Sequence, residues 1–169
     1  MATLSAARAQ LSDPALLQRL SELRRNPSPP QAVKDVLIAV LIALGHPKPV
    51  WADVLKLMQA CTLKALAARL TLFDVDTEMT LAQTRRLAAS NVATWDLKMM
   101  AKKSGAVMPL ALWVMAVFEY ASTQMRMLSN FAVLSPPLAK FSYAVLFTKY
   151  QRQPFLSPID VCWRPIDIE

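Results

Sequence analysis

The 169-residue sequence has few of the residues that form tight turns and reactive sites: two glycines, two cysteines and one histidine. Because so few positions can take a positive φ angle cheaply, hairpin-rich β-sheet and glycine-rich phosphate loops are disfavoured. The sequence contains no GxxxxGK[ST] motif and therefore no P-loop for ATP. The only histidine, His46, lies in a proline-rich turn, so no histidine-rich metal site or catalytic pair of histidines is available.

The cysteines bear on the redox compartment of the protein, and the hydropathy pattern bears on whether it spans a membrane. Cys61 and Cys162 have no metal-type spacing, which is typical of unpaired thiols in a reducing compartment. The apolar run over residues 36–45 has about half the length of a membrane-spanning helix. The longer stretch over residues 127–147 is interrupted by Pro136, Pro137 and Lys140. We therefore expect no transmembrane segment.

Acidic residues cluster at one place, where Asp74, Asp76 and Glu78 alternate along the chain. This spacing is a weak signal for calcium or for general acid catalysis, and the EF-hand pattern with its glycine is missing. We interpret the cluster as a solvated loop at a helix end. The sequence therefore predicts no enzyme, no metal site and no cofactor.

The residues that are abundant favour an all-α fold, since Leu, Ala and Met are strong helix formers. The first helix is predicted to begin at Ser12-Asp13-Pro14, because a polar cap followed by proline is typical of a helix start. Pro27, Pro29 and Pro30 end it. We predict a compact bundle of about six short helices, over residues 31–44, 51–59, 63–73, 80–89, 96–104 and 106–125.

Basic residues exceed acidic ones, with a formal net charge of +7 and a pI of about 9.7. Such a surplus predicts attraction to an acidic partner, which could be nucleic acid, anionic lipid or an acidic protein. Residues 81–127 carry six Lys or Arg against two acids. The sequence has no nucleic-acid reading motif and no exposed aromatics interleaved with the basic residues, so we expect no nucleic-acid partner.

Several motifs follow one another in a specific order along the chain. PPQAVKDVLIAVLIALG (residues 29–45) is followed by Trp51 at the head of a short helix, by LKALAARLTLFD (63–74) and by WVMAVFEY (113–120). This order resembles the stalk tip of dynein heavy chains, the microtubule-binding domain of that family. The family pattern is PPxxVxxVxxAVxxLLG, a Trp-led helix, an (F/L)LxxLxxFD helix and a closing WVxAMxxY helix. The resemblance covers about residues 27–125.

The resemblance implies a division into a partial stalk helix over residues 1–26, a microtubule-binding helical domain over 27–126 and a divergent, irregular tail over 127–169. It implies tubulin as partner, with other dynein subunits as further candidates. It also implies a location in the cytoplasm on the microtubule cytoskeleton, or in the ciliary axoneme. Axonemal and cytoplasmic dyneins share the pattern and are not separated by it.

The resemblance further implies that the helix beginning near Gln31 and the closing helix face the microtubule. Lys34 lies where the family often has a basic residue, and Arg126 falls where the closing helix of some relatives carries one. Charge alone adds the other candidates, and the full set is Lys34, Lys56, Arg85, Arg86, Lys98, Lys102, Lys103 and Arg126. Structural roles are expected for Pro29, Pro30, Gly45, Trp51, Trp113 and Tyr120, with the three aromatics in the core.

Two departures from the family keep alternatives open. A stalk needs two long helices with sustained heptads, and here Pro14 limits the incoming helix to about three turns. After residue 127, Pro136 and Pro137 and a lack of charge replace the expected returning helix. One alternative is therefore a dynein gene fragment that binds nothing. The other is a basic amphipathic helical protein at an anionic membrane surface.

Overall fold

The computed structural model describes residues 2–25, 28–60, 63–105 and 107–134. In this part of the chain the protein forms nine α-helices, a short 3₁₀ helix and no β-strand. The α-helices are α1 (Ala2–Leu11), α2 (Pro14–Arg25), α3 (Gln31–Ala43), α4 (Trp51–Ala60), α5 (Leu63–Thr71), α6 (Val75–Glu78), α7 (Leu81–Ala89), α8 (Leu97–Lys103) and α9 (Val107–Leu134), and the 3₁₀ helix is Val92–Thr94.

The all-α prediction is confirmed, and α3, α4, α5, α7 and α8 end within two residues of the predicted bounds. The helix count exceeds six for two reasons. The first 25 residues form two helices, separated at Ser12-Asp13, and a single turn, α6, forms in the predicted loop after Phe73. The last helix, α9, continues to Leu134, past the predicted boundary at residue 126. Residues 135–169 of the predicted tail, and both cysteines, lie outside the described residues.

The centre of the fold is α3, which is apolar around most of its circumference. From Val36 to Ala43 every residue except Ile38 is buried. A helix without a polar face must be enclosed by others, and α3 packs against α4, α7, α8 and α9.

The longest described helix, α9, supplies a second large group of core residues. Trp113 is fully buried, and its ring meets Phe73 edge-to-face with centroids 5.4 Å apart. Such aromatic pairs contribute about 0.5–1.5 kcal/mol beyond the burial of their area. No helix in the described part of the chain combines the length and hydropathy needed to cross a bilayer, as the sequence predicted.

The N-terminal helices share this core. Leu4, Ala7 and Leu11 of α1 are buried, and α1 packs against α9 and α5. Leu16, Leu20 and Leu23 of α2 form an apolar stripe and are buried too. The Arg8 guanidinium donates to the backbone oxygen of Phe73, just beyond the end of α5. Residues 2–25 are therefore packed as part of the helical body, while the predicted functional division at residue 26 stays a prediction.

Candidate functional site

Lys34 lies in the first turns of α3, where two prolines lead into the helix. Pro29 is buried, and Pro30 caps α3 with φ −52° and ψ 150°, the polyproline conformation that precedes a helix start. The Lys34 ammonium lies 5.8 Å from the centroid of the Trp51 ring, at the head of α4. A cation over an indole face at this distance contributes about 0.5–1 kcal/mol when exposed. Of the predicted residues, Lys34 and Trp51 are thus brought into direct contact.

The accessible part of α3 is confined to its beginning. Gln31 and Asp35 are exposed, Lys34 is half-buried, and the Gln31 side-chain amide donates to the Asp35 carboxylate at 2.7 Å. Further along, the helix is enclosed by its neighbours. If α3 meets a partner as the resemblance implies, only this N-terminal end is available for contact.

The head of α4 lies beside Lys34 and exposes an apolar side chain. Val50 is 57% exposed, and its N–H donates to the Asp53 carboxylate at 3.0 Å, which caps the helix start. The Lys56 ammonium is 3.7 Å from the same carboxylate. Exposed pairs of this kind contribute at most about 1 kcal/mol, so Lys56 remains available to an external acid.

The other predicted cations lie on three helices that pack around α3. Arg85 on α7 is exposed and Arg86 is half-buried, Lys98 and Lys102 on α8 are exposed, and Arg126 is exposed on α9. Lys103 is the last residue of α8. In the described ranges, none of the first five takes part in an ion pair.

Most acids in the described residues, by contrast, are used within the protein. Asp13 and Asp96 accept from backbone N–H groups at the starts of α2 and α8. Asp74 caps α6 in the same way. Glu78 binds the Arg69 guanidinium through both oxygens and also accepts from the N–H of Asp74. A carboxylate at a helix N-terminus interacts favourably with the helix dipole, whereas the exposed cations on α7, α8 and α9 make no ion pair within the described ranges.

The acidic cluster after α5 has a structural role. Besides the contacts of Asp74 and Glu78, Asp76 accepts a hydrogen bond from the hydroxyl of Tyr120 at 3.1 Å, which ties α6 to α9. Tyr120 and Trp51 are half-buried at the edge of the core, whereas Trp113 is inside it. No group of three or more potential metal ligands occurs in the described part of the chain.

The end of α3 is closed by Gly45, for which the sequence predicted a structural role, and by Gln83, whose role the sequence did not predict. Gly45 has φ +100°, its N–H donates to the oxygen of Ile42, and the N–H of His46 donates to Leu41. This is the Schellman arrangement expected of a helix that ends at glycine. The buried side chain of Gln83 on α7 donates to Ala43 at 2.9 Å, which satisfies one more carbonyl. Only the Thr80-x-x-Gln83 spacing of a capping box could have signalled Gln83 in the sequence.

His46 is buried behind this turn, and burial lowers its pKa, while the Asp53 carboxylate acts in the opposite direction.

A further cation that the candidate set omits, Lys48, is exposed in the same turn, two residues before Val50. Its position in a proline turn outside the matched motifs explains the omission.

Comparisons with known proteins add no relative: no family model matches this chain, and neither the curated proteins nor the solved structures include a significant match.

Proposed function

We propose that this chain is a non-catalytic microtubule-binding module that resembles the tip of the dynein stalk and contacts acidic tubulin through its basic helix faces. The order of motifs over residues 29–120 supports the choice of tubulin as partner. The proposal places the protein in the cytoplasm on microtubules, including those of the axoneme.

The proposal rests mainly on a difference between the acidic and the basic side chains. The described acids serve mainly as helix caps or internal partners, whereas Arg85, Lys98, Lys102 and Arg126 are exposed and make no ion pair in that part of the chain. Uncompensated positive charge on a folded body attracts an acidic surface and speeds association with it.

The contact between Lys34 and Trp51 supports a specific place for binding. The indole face limits the freedom of the Lys34 side chain, so less conformational entropy is lost when the ammonium meets a carboxylate. The accessible end of α3 contacts Trp51, and Val50, the residue before Trp51 in the chain, is exposed.

Co-sedimentation of the purified chain with stabilised microtubules, at low and at moderate salt, tests the proposal. We expect saturable pelleting that weakens as salt rises, because the screening length falls from about 30 Å at 0.01 M to about 8 Å at 0.15 M. Anionic lipid vesicles, floated under the same conditions, serve as the control. Pelleting with vesicles and not with microtubules, from a folded sample, would overturn the proposal in favour of a membrane surface.

A further inference from the structure

Helix α8 exposes two lysines and a methionine close together on its surface. Lys98, Met99 and Lys102 are exposed, and Met99 retains 48% of its accessible surface, whereas Met100 is buried. The helix packs against α9 and α3. The three exposed side chains therefore lie on the part of the helix that these neighbours leave open, and we call them the α8 face.

The two lysines of the α8 face have no acidic partner along their own helix. No Asp or Glu lies three or four residues from Lys98 or Lys102 in the sequence, and neither lysine makes an ion pair in the described ranges. The nearest acid, Asp96, accepts hydrogen bonds from two backbone N–H groups at the start of α8. Because like charges four residues apart repel each other on a helix, an anionic ligand that lies across both ammonium groups removes this repulsion.

The spacing of the two lysines fits the side chains of an extended peptide. Four residues of an α-helix advance about 6 Å along its axis, which separates the Lys98 and Lys102 side chains by about one turn. In an extended chain, side chains on one face recur every second residue, about 6.5 Å apart. Carboxylates at alternate positions of such a chain can therefore pair with the two ammonium groups one to one. The flexible thioether of Met99 lies beside them, where it can contact the methylene groups of the ligand.

We infer that the α8 face binds an extended acidic segment of a partner protein. Where tubulin supplies that segment the inference rests on the proposed function, whereas the recognition of the acidic peptide itself does not. An anionic membrane fits this face less well, because helices that lie on a bilayer bury a whole apolar face. In the described part of α8, Met99 is the one large apolar side chain that is exposed.

The test compares the full chain with three variants. Lys98→Gln combined with Lys102→Gln removes the charge of the α8 face. Arg24→Gln combined with Arg25→Gln is the matched control, because it removes the same charge from two exposed residues at the end of α2. The third variant, Met99→Ala, shortens the apolar side chain. Circular dichroism confirms that each variant is folded.

The probe is a fluorescein-labelled peptide of alternating Glu and Ser, and its binding is followed by fluorescence anisotropy at low and at moderate salt. A second peptide of the same composition has its Glu residues in adjacent pairs separated by pairs of Ser, which puts fewer carboxylates on one face of the extended chain. Phosphatidylserine vesicles and stabilised microtubules are tested with the same set of proteins.

We expect the α8 double variant to bind the alternating peptide about fivefold or more weakly, and the α2 double variant to change its affinity by less than about twofold. Met99→Ala should weaken binding without changing its dependence on salt, since it removes no charge. The peptide with paired Glu residues should bind more weakly than the alternating one.

Equal losses in the two double variants, equal affinity for the two peptides, or no binding of the alternating peptide by the full chain overturns the inference. Vesicle binding that depends on the two lysines, without peptide binding, overturns it in favour of a lipid surface. If the peptide binds as expected and the full chain does not pellet with microtubules, the proposed function fails and the inference stands.

Discussion

At the scale of single residues, the turn after α3 depends on one backbone conformation. Gly45 has φ +100°, a region that is costly for residues with a Cβ atom. A Cβ at this position would have room, since its nearest neighbour, the side-chain nitrogen of Gln83, would lie 3.7 Å away. A substitution there therefore tests conformational strain without a steric clash.

We predict that Gly45→Ala lowers the free energy of unfolding by about 1–2 kcal/mol, because alanine must adopt the left-handed region. Urea denaturation measures the change. Gly105→Ala is the matched control: its Cβ would meet only the flexible end of Arg19, at 3.3 Å, and the change should stay within about 0.5 kcal/mol. Equal losses in both variants would show that strain at Gly45 is not the cause.

His46 makes stability depend on pH. Its pKa is lowered by burial, so the unfolded state binds a proton more readily than the folded state. The stability that depends on neutral His46 is therefore fully present above the unfolded pKa of about 6.5. It is lost as pH falls below that value. Unfolding free energies measured in urea at pH 7.5, 6.5 and 5.5 should decline, and His46→Gln should reduce that decline. The same decline in the variant would assign the pH dependence to other groups.

At the scale of elements, the side chain of Gln83 makes one hydrogen bond at the start of its own helix, α7, and another to the end of α3. Its side-chain oxygen accepts from the N–H of Thr80 at 2.7 Å, and its nitrogen donates to Ala43 at the end of α3. One side chain thus completes the capping box of α7 and satisfies a carbonyl at the end of α3.

We predict that Gln83→Ala costs about 2–3 kcal/mol of unfolding free energy, since it removes a cap and leaves a buried carbonyl unsatisfied. Gln31→Ala is the matched control, because Gln31 is exposed and its side chain donates to Asp35 within its own helix. That change should stay within about 0.5 kcal/mol. Chemical denaturation measures the unfolding free energy of both variants. A small loss in Gln83→Ala would contradict the role of Gln83 in linking α7 to α3.

The sequence predicted the element boundaries wherever local chemistry sets them. Pro30 begins α3, Gly45 ends it, and Asp96 caps α8, all as the spacing of these residues indicates. The start of α1 has no polar cap or proline, so the sequence does not distinguish α1 within the predicted partial stalk helix over residues 1–26. Contacts between distant segments, such as Gln83 with Ala43 or Arg8 with Phe73, leave no periodic signal and could not be predicted.

The candidate site was predictable to a similar degree. The basic residues are evident in the sequence, and the structure places most of them on exposed positions. The contact of Lys34 with Trp51 joins residues 17 positions apart, and only the fold reveals it. The burial of most of α3 likewise depends on which helices surround it, so its accessible surface could not be predicted from its own sequence.

At the scale of the whole molecule, the N-terminal helices belong to the same core as the rest. Leu11 is 1% exposed, and α1 packs against both α9 and α5. A body held together in this way should unfold as one unit.

We therefore predict that Leu11→Ala lowers global stability by about 2–5 kcal/mol, with a single cooperative transition. Leu72→Ala, at a side chain that is 59% exposed, should change stability by less than about 0.5 kcal/mol. Thermal unfolding followed by circular dichroism measures both. An unchanged midpoint in Leu11→Ala would mean that α1 separates from the body before it unfolds.

The central claim concerns binding, and two charge reversals test it directly. Lys34→Glu and Lys64→Glu change the net charge equally, but Lys34 lies at the accessible end of α3, whereas Lys64 is exposed on α5 outside the candidate set. In microtubule co-sedimentation, with circular dichroism confirming the fold, we predict that Lys34→Glu weakens binding by about fivefold or more and that Lys64→Glu changes it by less than about twofold. Equal effects, or none, would contradict a specific contact at Lys34.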